Sequence, residues 1–188
     1  IGRPINKFVV ATNQNDILHR AITNGAYKVE NVLETISPSM DIQIASNFER
    51  LIFDLNDHSD KKTIDAMRSI KEKGKYEIEK EFLDKINVDF LSSRMDENEV
   101  LNTIKSVYEK FDKILDPHSA IGYGAFDKVN LKGNNIVLAT AHPCKFPGAI
   151  EKAINLKAEL PNELVYILDE KENYDIIENN LNKIKQYI

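Results

Sequence analysis

The stretch Asn6-Lys7-Phe8-Val9-Val10-Ala11-Thr12-Asn13-Gln14-Asn15-Asp16-Ile17-Leu18 decides the fold. Its apolar, β-branched opening is the pattern of a strand buried on both faces of a parallel sheet. The run stops at the polar Thr12-Asn13-Gln14-Asn15, after which Ile17, Leu18, Ala21 and Ile22 recur at helical spacing. Gly25 stands where the residue after a helix takes positive φ. A strand, a polar loop and a helix in this order predict an α/β unit.

Further along, Val32-Leu33-Glu34-Thr35-Ile36 predicts a second strand, ended by Ser37-Pro38-Ser39-Met40-Asp41, where Pro38 turns Ser37 away from helical geometry. Ser46 and Glu49 have the spacing of a capping box, ahead of a helix with Phe48, Leu51, Ile52 and Leu55 on one face. From Asp54 onward the composition shifts to dense mixed charge with helical apolar spacing, including Val100, Ile104 and Val107. This region predicts a helical insertion whose charges are solvated faces and i,i+4 pairs. At Asp116-Pro117 a helix is capped anew, with Gly122 and Gly124 marking close packing or a turn. Asn135-Ile136-Val137-Leu138-Ala139 predicts a third strand, Pro147 opens another helix, Glu163 to Leu168 a last strand, and Tyr174 to Ile188 a closing helix. The expected organisation is a β/α part over 1–53, a charged helical insertion over 54–115 and a completing β/α part over 116–188. The fold class is α/β with a partly parallel sheet.

With 188 residues, 25 Lys+Arg against 30 Asp+Glu and a net charge of −5, the chain offers no net attraction to nucleic acid or an anionic membrane. No apolar run reaches the roughly 20 residues that a spanning helix needs. A cytoplasmic protein is expected, without a nucleic-acid or membrane partner. Cys144 is the single cysteine, which excludes an internal disulfide and a thiolate zinc cluster. The chain opens at Ile1 and enters its strand almost at once, so it is expected to be cut at its N-terminus, and apolar sheet edges left by such a cut would favour association.

Ligands of open α/β sheets bind at the carboxyl ends of strands, so the residues there are the candidates. They are Asn13 and Asn15, then Ser37, Ser39 and Asp41, then Thr140, His142 and Lys145, with His118 in Asp116-Pro117-His118-Ser119 beside them. Neutral donors and acceptors dominate, which suits orienting a polar cofactor or an amino-acid-like ligand. Each also has a plain structural reading, Asn and Ser as caps or turn residues and histidine as a packed or exposed side chain. His19 and His58 sit in helical, polar contexts, and Arg50 beside Glu49 is expected in a salt bridge. A dinucleotide fingerprint, a His-Glu-x-x-His pair and a Gly-x-Ser-x-Gly elbow are all missing from the sequence.

Five strings, taken in order, resemble the C-terminal half of threonine synthase: Val9-Val10-Ala11-Thr12-Asn13-Gln14-Asn15-Asp16-Ile17-Leu18, Ser37-Pro38-Ser39-Met40-Asp41-Ile42, Ser46-Asn47-Phe48-Glu49-Arg50-Leu51, Asp116-Pro117-His118-Ser119-Ala120 and Ala139-Thr140-Ala141-His142-Pro143-Cys144-Lys145-Phe146-Pro147. The resemblance implies a tryptophan-synthase-β-like (fold type II) enzyme that uses pyridoxal 5'-phosphate to convert O-phospho-L-homoserine and water to L-threonine and phosphate. It implies that Thr140 supplies the hydroxyl facing the cofactor's pyridine nitrogen. It also implies that Asn13, Asn15, Ser37, Ser39, Asp41, His118 and His142 line the cofactor or substrate. The family's Schiff-base lysine and phosphate loop fall upstream of the matched strings, so the N-terminal half of the same protein is the expected partner and this portion alone is expected to be inactive. Lys145 does not match the anchoring lysine. Another phospho-amino-acid lyase of the same fold, or a catalytically silent α/β binding module, are the alternatives.

Overall fold

A computed structural model describes residues 4–188. The chain divides into two compact units, the first ending at Ala158 and the second spanning Glu159–Ile188.

In the first unit, strand β1 (Phe8–Thr12) leads into helix α1 (Ile17–Asn24), which closes on Gly25 at φ 78. The amide of Gly25 returns to the Ala21 carbonyl, the left-handed stop expected of glycine after a helix. Strand β2 (Ala26–Lys28) follows, then a long irregular stretch with a 3-10 turn at Pro38–Met40, and helix α2 (Phe48–Leu55). Helix α3 (Asp60–Lys73), strand β3 (Lys75–Glu77), helix α4 (Lys80–Asp89) and strand β4 (Phe90–Arg94) come next. Helices α5 (Glu97–Phe111), α6 (Pro117–Val129) and α7 (Pro147–Ile154) complete the unit.

β1 and β4 pair in parallel, Phe8 opposite Phe90 and Thr12 opposite Arg94, while β2 and β3 pair antiparallel. The parallel pair is half-buried, with a core against each face of β1. Val10 packs on a core of Ile17, Tyr27, Phe48, Ile52, Ile70 and Ile86, whereas its neighbour Ala11 packs on a second core of Met95, Val100, Ile104, Ile121 and Ile150. Alternate side chains of one strand thus enter two cores, which explains an apolar run without polar alternation. α6 runs close enough to α5 and to Met95 ahead of it that a side chain on Gly124 would strike the tip of Met95 and crowd Thr103 Oγ1.

Several expectations fail here for physical reasons. Val32–Ile36 forms no strand, because side chains take the place of a neighbouring strand: Leu33 exchanges both backbone hydrogen bonds with the Asn15 amide, and the Thr35 N–H donates to Asp41. Asn135–Ala139 forms neither strand nor helix. The stretch 54–115 is helical only in part, since it also supplies β3 and β4, and β4 is the sheet neighbour of β1. Ser46 and Glu49 form no capping box: α2 starts at Phe48 after a turn through Ser46 and Asn47. The box is built instead at Asp96 and Glu99, ahead of α5. In the second unit Asn162–Leu168 is a 3-10 helix rather than a strand, and the closing helix α8 spans Leu181–Tyr187 only.

Candidate functional site

The candidate residues gather in the first unit around two structures, a side-chain network behind β1 and the first turn of α6.

The network begins at Asn13, buried at the end of β1. Its Nδ2 lies 2.9 Å from Thr35 Oγ1, 2.9 Å from Ser37 Oγ and 2.7 Å from Asp41 Oδ1, so its two protons are divided among three side-chain acceptors, with the Ser37 carbonyl farther off at 3.5 Å. Asn13 Oδ1 accepts from the Asn15 N–H at 2.8 Å, and Asn15 Nδ2 donates to Asp41 Oδ1 at 2.9 Å. Thr35 Oγ1 donates to the same oxygen at 2.7 Å, and the Thr35 N–H reaches Asp41 Oδ2 at 2.8 Å. The Asp41 carboxylate is therefore solvated by four neutral donors. Asn13, Asn15 and Ser37 spend their hydrogen-bonding capacity on one another, on Thr35 and Asp41 and on the Leu33 backbone, and they fix the backbone that carries Ser37-Pro38-Ser39.

The first turn of α6 holds the other candidates. Asp116, fully buried, caps the helix by accepting from the His118 N–H at 3.0 Å, with Pro117 at the first helical position. The same Asp116 Oδ1 lies 2.9 Å from His118 Nδ1. His118 Nε2 accepts from the Ser39 N–H at 3.2 Å. With one ring nitrogen accepting from a backbone amide, the ring proton resides on Nδ1, facing Asp116. Ser119 Oγ accepts from the Thr140 N–H at 2.9 Å and lies 3.3 Å from Thr140 Oγ1. The Phe146 ring packs against His118 with centroids 4.7 Å apart. One helical turn thus joins three separate chain segments: the Ser39 turn, the Thr140 segment and the loop through Phe146.

Exposure divides the candidates. Asn13, Asn15, Ser37 and His118 are buried, whereas Ser39, Thr140 and His142 are exposed and Asp41 is half-buried. The groups able to meet a ligand directly are the hydroxyls of Ser39 and Thr140 and the imidazole of His142, whose Nδ1 accepts from the Cys144 N–H. Asp116, Ser119, Thr35 and Phe146 hold this arrangement and were not among the candidates. Asp116 and Ser119 flank His118 in the sequence, and the Thr35-x-Ser37 spacing is that of a hydroxyl turn, so a local signal existed for both.

The remaining polar groups lie elsewhere. His19 Nδ1 meets Ser92 Oγ at 2.8 Å, and burial pulls this imidazole below its ordinary range. His58 pairs with Asp54 on the surface. Arg50 makes no ion pair among the described residues, contrary to expectation, and Lys145 is exposed. Among the described residues no cluster of three or more His, Cys, Asp or Glu could hold a metal ion, and no helix is long and apolar enough to cross a membrane.

Residues 119–188 match the family model described as "Threonine synthase, C-terminal". A threonine synthase of Pseudomonas aeruginosa is 36% identical over 191 residues, which cover 100% of this chain and 41% of that protein. The solved structure of a PLP-bound threonine synthase from Brucella melitensis superposes with a TM-score of 0.87 at 39% identity, over 99% of this chain and 40% of that one. The crystal structure of threonine synthase from yeast gives a TM-score of 0.81 at 36% identity, over 91% of this chain and 39% of that one. The chain spans about two fifths of the length of the relatives it matches.

Proposed function

We propose that this chain, which corresponds to the C-terminal part of threonine synthases, forms one wall of a pyridoxal-phosphate site in an enzyme that converts O-phospho-L-homoserine and water to L-threonine and phosphate. The observation that carries the reading is the likeness over almost the whole chain to a PLP-bound threonine synthase, at 39% identity and a TM-score of 0.87. In this reading the chain acts together with a further portion equivalent to the rest of its relatives, in the cytoplasm.

The residues present fit one end of the cofactor. Thr140 offers an exposed neutral hydroxyl on a backbone that Ser119 pins through the Thr140 N–H, a suitable partner for a pyridine nitrogen. Among the described residues the phosphate end of the group finds no glycine-rich loop, so its anchorage is assigned to the further portion. When bound, pyridoxal phosphate supplies an electron sink for a carbanion at the substrate's Cα.

This chain's own contribution is orientation. Thr140 would hold the pyridine nitrogen, and Ser39 and His142 present an exposed hydroxyl and an exposed imidazole as substrate contacts. Asn13, Asn15, Ser37 and Asp41 line the site from behind and keep the Ser39 turn rigid, while His118 backs it from α6. Because these groups are prearranged by hydrogen bonds, little reorganisation is required on binding.

The test is phosphate release in the complete protein containing this chain, assayed with pyridoxal phosphate and a panel of O-phospho-L-homoserine, O-phosphoserine and O-phosphothreonine. Release from O-phospho-L-homoserine with formation of threonine supports the reading. Turnover of another member of the panel alone would make it a different phospho-amino-acid lyase, and no release from any would make it a silent binding module. Borohydride reduction of the 188-residue chain with pyridoxal phosphate adds a check on the anchor. Scattered, substoichiometric labelling is expected, and stoichiometric labelling at one lysine such as Lys145 would overturn the assignment of the anchor to the further portion.

A further inference from the structure

We infer that His118 is a positioning residue, locked by Asp116 with its proton on Nδ1, whose Nε2 fastens the Ser39 turn to α6 and so sets its spacing from the Thr140 segment. This deepens the proposed function and rests on it for its catalytic meaning.

Four observations converge. His118 is only 5% exposed and lies under Phe146, so it is shielded from a ligand rather than aimed at one. Asp116 Oδ1 receives both the backbone N–H and the Nδ1–H of His118, which fixes ring rotation and proton position together. The Ser39 N–H has His118 Nε2 as its hydrogen-bond acceptor, across 79 positions of sequence. The next residue, Ser119, holds the Thr140 N–H in the same manner.

Consecutive side chains of one helical turn therefore grip the two segments that carry the exposed hydroxyls. A rigid helix start is well suited to this, because successive residues in it have a fixed angular separation. The segment before Ser39 is also restrained by the Asn13–Asp41 network, which acts on Ser37 and Thr35 but makes no bond to Ser39. His118 is thus the restraint that acts on Ser39 itself. Loosening it would leave the network intact and free the tip of the turn.

Two substitutions separate this role from a simple packing role. In His118→Gln the side-chain carbonyl can occupy the place of Nε2 and accept from Ser39, whereas in His118→Asn the shorter amide can reach Asp116 and falls short of Ser39. The first measurement uses the 15N-labelled 188-residue chain. A long-range proton–nitrogen correlation should show His118 as a single Nδ1–H tautomer, and Ser39 amide exchange should accelerate at least tenfold in His118→Asn but stay within threefold of wild type in His118→Gln. An Nε2–H or mixed tautomer, or equal Ser39 exchange in wild type and His118→Asn, would overturn the inference. The second measurement uses the complete protein, where His118→Asn should raise KM for O-phospho-L-homoserine at least fivefold with little change in kcat, and His118→Gln should restore it. Equal KM in both variants would overturn the positioning role. If the wild-type protein does not turn over this substrate, the functional reading fails while the tautomer and exchange results still decide the structural one.

Discussion

Asn13 and Asp41, 28 positions apart, meet at 2.7 Å and join the end of β1 to the turn that carries Ser37 and Ser39. The carboxylate of Asp41 is shared among neutral donors, so the junction depends on geometry and on every donor being present. Removing Asn13 takes a donor from Thr35, Ser37 and Asp41 at once and leaves the buried Asn15 N–H without its acceptor. Asn13→Ala is expected to lower unfolding stability by about 2–3 kcal/mol, since each buried group left without a partner costs about 1–3 kcal/mol. Asn13→Asp, which sets a second carboxylate against Asp41, should cost more. Chemical denaturation of both variants at neutral pH checks the order, and a loss in Asn13→Asp smaller than in Asn13→Ala would contradict it.

Gly25 closes α1 at φ 78, and a Cβ there would stand 2.9 Å from the Ile78 carbonyl oxygen. Both the backbone angle and the space reject a side chain. Gly25→Ala is expected to destabilise the first unit by about 2 kcal/mol, within the range for a non-glycine residue forced into left-handed geometry. Gly148, where a Cβ would meet nothing within 4 Å, serves as the control. Thermal melting of the two alanine variants should show a clear drop for the first and almost none for the second.

The start of α5 carries a pH-dependent contribution. A hydrogen bond from Lys128, and after it the Asp96 N–H, hold the Glu99 carboxylate below its ordinary value of 4.5. A group whose folded value is depressed gives stability that is fully present above 4.5 and is lost as pH falls through the lower folded value. Lys128→Met should therefore melt lower than the parent chain at neutral pH, with the gap closing in acid below 4.5. A gap that widens in acid would show that the pair does not act in this way. Because both side chains are well exposed, the effect should be small.

Ile136 and Leu138 are 90% and 75% exposed, while Val137 between them sits against Gly122 of α6. Substituting both exposed residues with lysine is expected to leave the melting temperature of the 188-residue chain unchanged and to reduce its self-association in sedimentation velocity, because exposed apolar patches drive association. Val137→Asp should instead destabilise, by about 1 kcal/mol or more, because a half-buried charge would stand against the helix. Equal melting losses for the two kinds of substitution would mean that Ile136 and Leu138 are covered.

Legibility in the sequence followed the range of the interactions. The β1–α1 unit was readable because its signals, an apolar run, helical spacing and Gly25, are all local. The cap at Asp116-Pro117 was readable for the same reason. β4 was missed because Leu91-Ser92-Ser93 lies inside a charged, helix-rich stretch, and its partner is the distant β1. Val32–Ile36 has strand composition, yet Asn15 and Asp41 meet its backbone with side chains, an outcome that no local pattern records. His118, Ser39 and Thr140 were singled out by the strings they occupy. Their division into a buried ring and two exposed hydroxyls depends on Asp116 and Ser119 reaching across the fold.

The pairing of Phe8 with Phe90 also has a consequence for how the molecule comes into being. On a ribosome, β1 emerges about eighty residues before β4 and must wait, unpaired, until β4 has cleared the exit tunnel. During that interval α1, α2 and α3 can form and begin to pack, but the apolar face that Ala11 offers to the second core has no cover. The first unit is therefore expected to mature late and in one step, at a rate set by closing this long loop. Until then the growing chain depends on whatever shelters β1.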